Sequence, residues 1–178
     1  MQRLMTRRAA LATAVAAFPL AAVPIRPTQA APGPLRQPQG KVILTIAGQS
    51  TNTNLNGTAV FDIAMLEELG VKGFSTTTPW YNGPVSFEGV PMAQLLDHVG
   101  ATGTKVTALA LNDYSTDIPL DDFRHYDAIL AFKRDGAYMP VRDKGPLFIV
   151  YPYDSNPALK HQRYYSRSAW QVARLVVT

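Results

Sequence analysis

The sequence predicts an α+β domain that is mostly β, a mixed-sheet domain with short helices. Three observations carry that expectation. Short runs of β-branched and aromatic residues recur between turn signals from residue 42 to residue 177. Helical spacing is confined to brief stretches around residues 62–70, 91–100 and 119–123. The long connections that a parallel βαβ repeat requires are missing, which sets that class aside.

Val42, Leu44 and Ile46 alternate with Ile43 and Thr45 in an opening strand that ends at Gly48, and residues 49–57 are polar loop. Asp62 is a capping acid ahead of Ala64, Met65, Leu66 and Leu69, and Gly70 ends that short helix. Residues 71–78 predict a second strand and residues 84–87 a third, with Asn82-Gly83 as the turn between them. Pro91 at a first helical position, then Met92, Leu95, Leu96 and Val99 before Gly100, predicts a second helix. Residues 105–111 and 115–118 pair as a hairpin about Asn112-Asp113, and residues 119–123 suggest another short helix. Residues 128–133 and 138–141 flank Arg134-Asp135-Gly136 as a further hairpin. Residues 147–151 are an apolar strand, a polar and aromatic loop follows, and residues 170–177 form the last strand.

A length of 178 residues suits one domain with a sizeable core. With 47% hydrophobic and 17% charged residues the chain buries enough apolar surface to exclude disorder. There is no cysteine, which excludes disulfides, zinc knuckles, iron–sulfur clusters, c-type haem attachment and thiol nucleophiles. The net charge of +4 is concentrated at the N-terminus. Residues 1–30 hold Arg3, Arg7, Arg8 and Arg26 and no acid, so 17 − 4 = 13 bases face 13 acids in the remainder. No basic patch interleaved with aromatics stands out, and nucleic-acid binding is not expected.

Residues 1–30 have the layout of an export signal. Arg3, Arg7 and Arg8 precede an alanine-rich, uncharged run over residues 9–23. That run contains Pro19 and falls short of the ~20 apolar residues a spanning helix needs. Cleavage after Ala30 or Ala31 is expected, leaving a periplasmic protein with no membrane span. Thr6-Arg7-Arg8-Ala9-Ala10-Leu11 resembles the twin-arginine signature without its phenylalanine and lysine. The alternative is an uncleaved anchor holding the same domain outside the cytoplasmic membrane. Pro32, Pro34, Pro38, Gly33 and Gly40 make residues 31–40 a linker, and the domain is expected over residues 41–178.

Four blocks follow one another in a recognisable order. They are Phe87-Glu88-Gly89-Val90-Pro91-Met92-Ala93-Gln94-Leu95-Leu96, then Asn112-Asp113-Tyr114 with Ile118-Pro119-Leu120. Ile129-Leu130-Ala131-Phe132 with Arg134-Asp135-Gly136, and Gly145-Pro146-Leu147-Phe148-Ile149-Val150-Tyr151-Pro152, complete the set. Together they resemble the sulfite-oxidase-type molybdopterin-binding domain over nearly all of residues 41–178. The resemblance implies its mixed α+β core, and a metal site just before an aromatic residue and the Gly89-Val90-Pro91 block. Family enzymes hold molybdenum there through one cysteine. Here the stretch is Ser75-Thr76-Thr77-Thr78-Pro79-Trp80, so the ligand position falls at Thr76 or Thr77, with Trp80 beside it. A neutral hydroxyl is a poor ligand for a soft metal, so a thiolate-ligated molybdenum centre cannot form. The cofactor is left open, with molybdopterin held without cysteine as one option.

Residues 31–123 contain four bases and nine acids, and residues 124–178 nine bases and four acids. In the resembling family this C-terminal region helps hold the anionic pterin pyrophosphate. Arg142, Lys144, Lys160, Arg163 and Arg167 are the candidate anion ligands, with Tyr151, Tyr153, Tyr164 and Tyr165 as hydroxyl donors or stacking rings. The alternative is that these bases pair with first-half acids and with Asp143 and Asp154. His98, His125 and His161 have no metal-ligand spacing, so no metal site is expected. Asp121-Asp122 reads as a helix start, Asn112-Asp113-Tyr114 as a hairpin turn with a pocket lining as the alternative, and Trp80 and Trp170 as core residues ahead of stacking platforms. No nucleophile elbow, phosphate loop or dinucleotide fingerprint is present.

Three functions fit. One is a non-catalytic module binding a pterin, another small anion, or a periplasmic or membrane sensor protein. Another is an oxidoreductase subunit holding molybdopterin without cysteine, and the last an interaction protein whose pocket is filled.

Overall fold

The computed structural model describes residues 34–178, and the expected signal lies outside them. The chain runs β1 (Leu44–Gly48), β2 (Ala59–Phe61), α1 (Ile63–Glu68), β3 (Lys72–Thr78), β4 (Tyr81–Pro91) and α2 (Met92–His98). It continues through β5 (Lys105–Ala110), β6 (Ser115–Pro119), α3 (Leu120–His125), β7 (Ile129–Arg134), β8 (Ala137–Tyr138) and β9 (Phe148–Val150). It ends with α4 (Gln162–Arg167) and β10 (Val172–Val177). Short 3₁₀ turns occupy Val141–Asp143 and Pro157–Leu159.

The strands form two sheets, ordered β2-β1-β10-β5-β6 and β3-β4-β7-β8, with β9 also paired to β7. Only β1 and β10 run parallel, so the first and last strands close the first sheet side by side. Leu44, Ile46 and Phe61 from that sheet join Phe87, Phe132 and Phe148 from the other in one buried core, and Leu66, Met92 and Leu95 of the helices fill it. At Gly89 the second sheet depends on a missing side chain. A β-carbon there would strike the Leu130 carbonyl, so glycine alone lets β4 approach β7 beside its bulge.

The fold is the mostly β, mixed-sheet class expected. Four local features differ from expectation. The β3–β4 turn falls at Pro79-Trp80 and not at Asn82-Gly83, which form an irregularity within β4 where the register jumps from Thr77↔Pro84 to Thr78↔Tyr81. Pro79 has no N–H for a ladder and its preset φ suits a turn. The segment after residue 151, read as loop, contains α4, started by His161, whose Nδ1 accepts the Arg163 N–H at 3.1 Å. The strand expected over residues 138–141 stops at Tyr138, because Pro140 has no ladder donor and Val141 opens a 3₁₀ turn. The three residues of β2 are all buried and so show no alternation to betray them.

Residues 34–40, inside the expected linker, lie against the domain. Asp62 accepts the N–H groups of Gln39 and Gly40 through Oδ2 at 2.7 and 2.8 Å while its Oδ1 caps α1 at Met65 N–H, 2.9 Å away. Arg36 makes a two-pronged bond to Glu68, with Nη2 at 2.8 Å from Oε1 and Nε at 2.9 Å from Oε2.

Candidate functional site

The sequence pointed to Thr76 and Thr77, and β3 carries both to its end beside the turn. Thr76 is buried, and its hydroxyl accepts the Asp154 N–H at 3.1 Å. Thr77 grips the Asp154 carboxylate at both oxygens: its N–H donates to Oδ2 at 2.6 Å and its hydroxyl to Oδ1 at 2.7 Å. Lys160 Nζ lies 2.7 Å from the same Oδ1. Hydrogen bonds from Lys160 and Thr77 hold the Asp154 carboxyl well below the usual carboxylate range. Two threonines, an aspartate and a lysine thus form a closed knot at the position where the resemblance puts a cysteine.

Trp80, at the second turn position, sends its indole edge-on into Phe148 at 5.4 Å and Trp170 at 5.5 Å. Tyr153 and Tyr165 meet the same indole at 6.3 and 6.1 Å. Beside these rings lies a cleft of about 430 Å³, walled by Pro79, Trp80, Tyr165 and Trp170 and rimmed by Asn112, Tyr114, Gln162 and Ser166. Tyr114 stacks parallel to Trp170 and donates its hydroxyl to the Ser166 carbonyl at 2.6 Å. Below them, Tyr153 shares a hydrogen bond with Ser168, and burial pushes the Tyr153 phenol upward. The Asn112-Asp113-Tyr114 turn and both tryptophans therefore border a pocket. Their signal in the sequence was turn and core, because the cleft appears only when α4 folds against β6.

The five expected anion ligands do not share one partner. Arg167 donates to buried Asp122 at 2.6 Å, and the Tyr151 hydroxyl donates to the same oxygen at 3.1 Å. Burial, with the Asp122 carboxylate adding to it, pushes the Tyr151 phenol upward. Lys160 is bound to Asp154. Lys144 lies 3.9 Å from Asp143 and 4.4 Å over the Tyr81 ring. Asp143 is held more tightly by Arg134 at 2.6 Å and accepts the Tyr81 hydroxyl at 3.1 Å. Arg142 and Arg163 are exposed and make no ion pair among the described residues. The paired alternative describes Lys144, Lys160 and Arg167 as the structure has them.

The domain has two sheets in an α+β arrangement and a ligand-sized cleft beside the β3–β4 turn. The model of the oxidoreductase molybdopterin binding domain matches residues 53–154, and the chain belongs to that family. A comparison with curated proteins gives no match.

The residues at the ligand position do not fit a thiolate-held molybdenum. Their donors are hard oxygens, already bound to one another and to an ammonium, and the chain has no sulfur donor but methionine. Among the described residues no group of three His, Asp or Glu gathers as a metal site, and no helix is long and apolar enough to cross a membrane.

Proposed function

We propose that this chain is an exported, non-catalytic binding module of the molybdopterin-binding-domain family, acting in the periplasm on a small ligand. The observation that carries the reading is the Thr77–Asp154–Lys160 knot. A carboxylate held by three donors, the Thr77 N–H, the Thr77 hydroxyl and Lys160, occupies the neighbourhood of the expected metal ligand, and the hydroxyl there is already engaged. The pairing of Lys144, Lys160 and Arg167 with acids favours a ligand held in the cleft over one held by those second-half cations. The cleft, open and lined by rings, argues against a pocket that has filled with side chains.

The family match itself favours a second reading, an oxidoreductase subunit that holds molybdopterin by non-covalent contacts alone. Molybdenum and pterin content of protein purified from the periplasm of a cofactor-competent native host separates the two. The binding module predicts far less than one molybdenum per chain, by elemental analysis and oxidised-pterin fluorescence. Stoichiometric cofactor would establish a cysteine-free oxidoreductase instead. Thr77→Cys is expected to stay unloaded as well, since the Thr77 N–H and Lys160 still hold Asp154 in place. Loading of that variant alone would mean that only the ligand, and not the pocket, had been lost.

A further inference from the structure

We propose that the cleft beside Trp80 is a binding site for an uncharged sugar ring. The assignment rests on the reading of the domain as a binding module and adds the chemical class of what it binds.

Charge is the first discriminator. No Asp, Glu, Lys, Arg or His lines the cleft, and no cation sits over the rings of Trp80, Tyr114, Tyr165 or Trp170 among the described residues. An anion would enter with no counter-charge and lose its hydration, a cost that nothing in this lining offsets. Of the bases nearest in sequence, Lys160 and Arg167 are committed to Asp154 and Asp122, and Arg163, exposed and without an ion pair among the described residues, is not part of the lining.

Ring geometry is the second. Tyr114 and Trp170 are parallel within 9°, with centroids 6.4 Å apart. A flat heteroaromatic clamped between them needs about 3.5 Å of van der Waals distance on each face, about 7 Å together, which exceeds that separation. Trp80 meets Trp170 at 74° and Tyr165 at 80°, so the walls form a corner and not a slot. A corner suits a puckered ring that lays one C–H face on an aromatic surface and turns its hydroxyls outward.

The rim supplies the partners for those hydroxyls. Asn112 uses its amide oxygen on the Tyr114 N–H at 3.3 Å, and Gln162 uses its amide nitrogen on Ser166 Oγ at 3.3 Å. Among the described residues the Asn112 amide N–H₂ and the Gln162 amide oxygen have no partner. Donor and acceptor capacity is therefore left over at the lining, the pairing that a hydroxyl, both donor and acceptor, satisfies. At about 430 Å³ the cleft is of ligand size. Gln162, Tyr165, Ser166, Ser168 and Trp170 all follow residue 154, where the family match ends, so five of the nine lining residues lie outside the matched segment.

The chain has two tryptophans, and both line the cleft. Emission excited selectively at tryptophan, which leaves the eight tyrosines out of the signal, therefore reports on this site. Mature protein is titrated with maltose, cellobiose and N-acetylglucosamine, and in parallel with inorganic phosphate and guanosine. A saturable change in emission is expected with at least one saccharide below about 10 mM, and none with phosphate or guanosine. Asn112→Ala and Tyr114→Ala, both at exposed positions, are expected to weaken it about tenfold while circular dichroism stays unchanged. No response to any saccharide, a response to phosphate or guanosine alone, or saccharide binding untouched by both variants overturns the assignment. Stoichiometric molybdenum in the same preparation would overturn the binding-module reading instead. Its absence together with failed saccharide binding overturns only the ligand class.

Discussion

At the scale of single residues, Asp62 does more than its place in the sequence suggested. The capping role was legible because an acid ahead of a helical apolar stripe is an N-terminus signal. Its second role was not, since nothing local announces that two residues more than twenty positions upstream will each lend it an N–H group. Burial works against its charge, yet the N–H groups of Gly40, Met65 and Gln39, with Arg36, hold its pKa below the usual value. A carboxyl lowered on folding contributes stability in full above its unfolded pKa of about 3.9, and that contribution is lost as pH falls through the folded value. Asp62→Ala is expected to cost about 2 kcal/mol at neutral pH, the sum of a lost cap and two orphaned N–H groups. Asp62→Asn, which keeps a capping oxygen, should cost less. Urea unfolding at pH 7 and pH 3 checks both, and the gap between wild type and Asp62→Asn should narrow at the lower pH.

At the scale of elements, the strands and helices carried by strong local signals sit within a few residues of where the sequence places them. β5 and β6 pair about Asn112-Asp113 as alternation and turn chemistry require. The misses have tertiary causes. Asn82-Gly83 is the stronger turn dipeptide, but Pro79 cannot join a ladder and Trp80 gains a core of rings by turning first. α4 is short, lacks a fully buried residue, and shows no apolar stripe. Its position comes from contacts distant in sequence: Arg167 to Asp122, which ties α4 to α3, the Tyr114 hydroxyl on the Ser166 carbonyl, and Tyr164 and Tyr165 packed against neighbouring rings. Arg167→Leu would leave a buried carboxylate with only the Tyr151 hydroxyl, at a cost of about 3 kcal/mol, or roughly 6–12 °C in Tm for a domain of this size. The double variant Arg167→Leu, Asp122→Leu should recover part of that loss by calorimetry, because it leaves no stranded charge but takes the acceptor from the buried Tyr151 hydroxyl; adding Tyr151→Phe should recover more.

At the scale of the whole molecule, charge is what the sequence described best in total and least in detail. Acids crowd the first half and bases the second, and the fold joins them across that divide at Lys133–Glu67 and Arg167–Asp122. Of the late bases expected as anion ligands, Lys144, Lys160 and Arg167 meet acids, while Arg142 and Arg163 make no ion pair among the described residues. The cleft was hidden as those pairings were, its rim and walls coming from residues as far apart as Pro79 and Trp170. The N-terminal bases have no such partners to balance them in the count: four arginines in residues 1–30 account for the whole net charge of +4. Removal of that segment should therefore carry the isoelectric point from about 9.4 down to about 7. Intact mass and isoelectric focusing of protein recovered from the periplasmic fraction measure this directly. Export with cleavage predicts a mass beginning at Ala31 or Pro32 and a near-neutral focus. Full-length mass with the basic focus, recovered with membranes, would establish the uncleaved anchor, and the binding domain would then work tethered to the membrane surface.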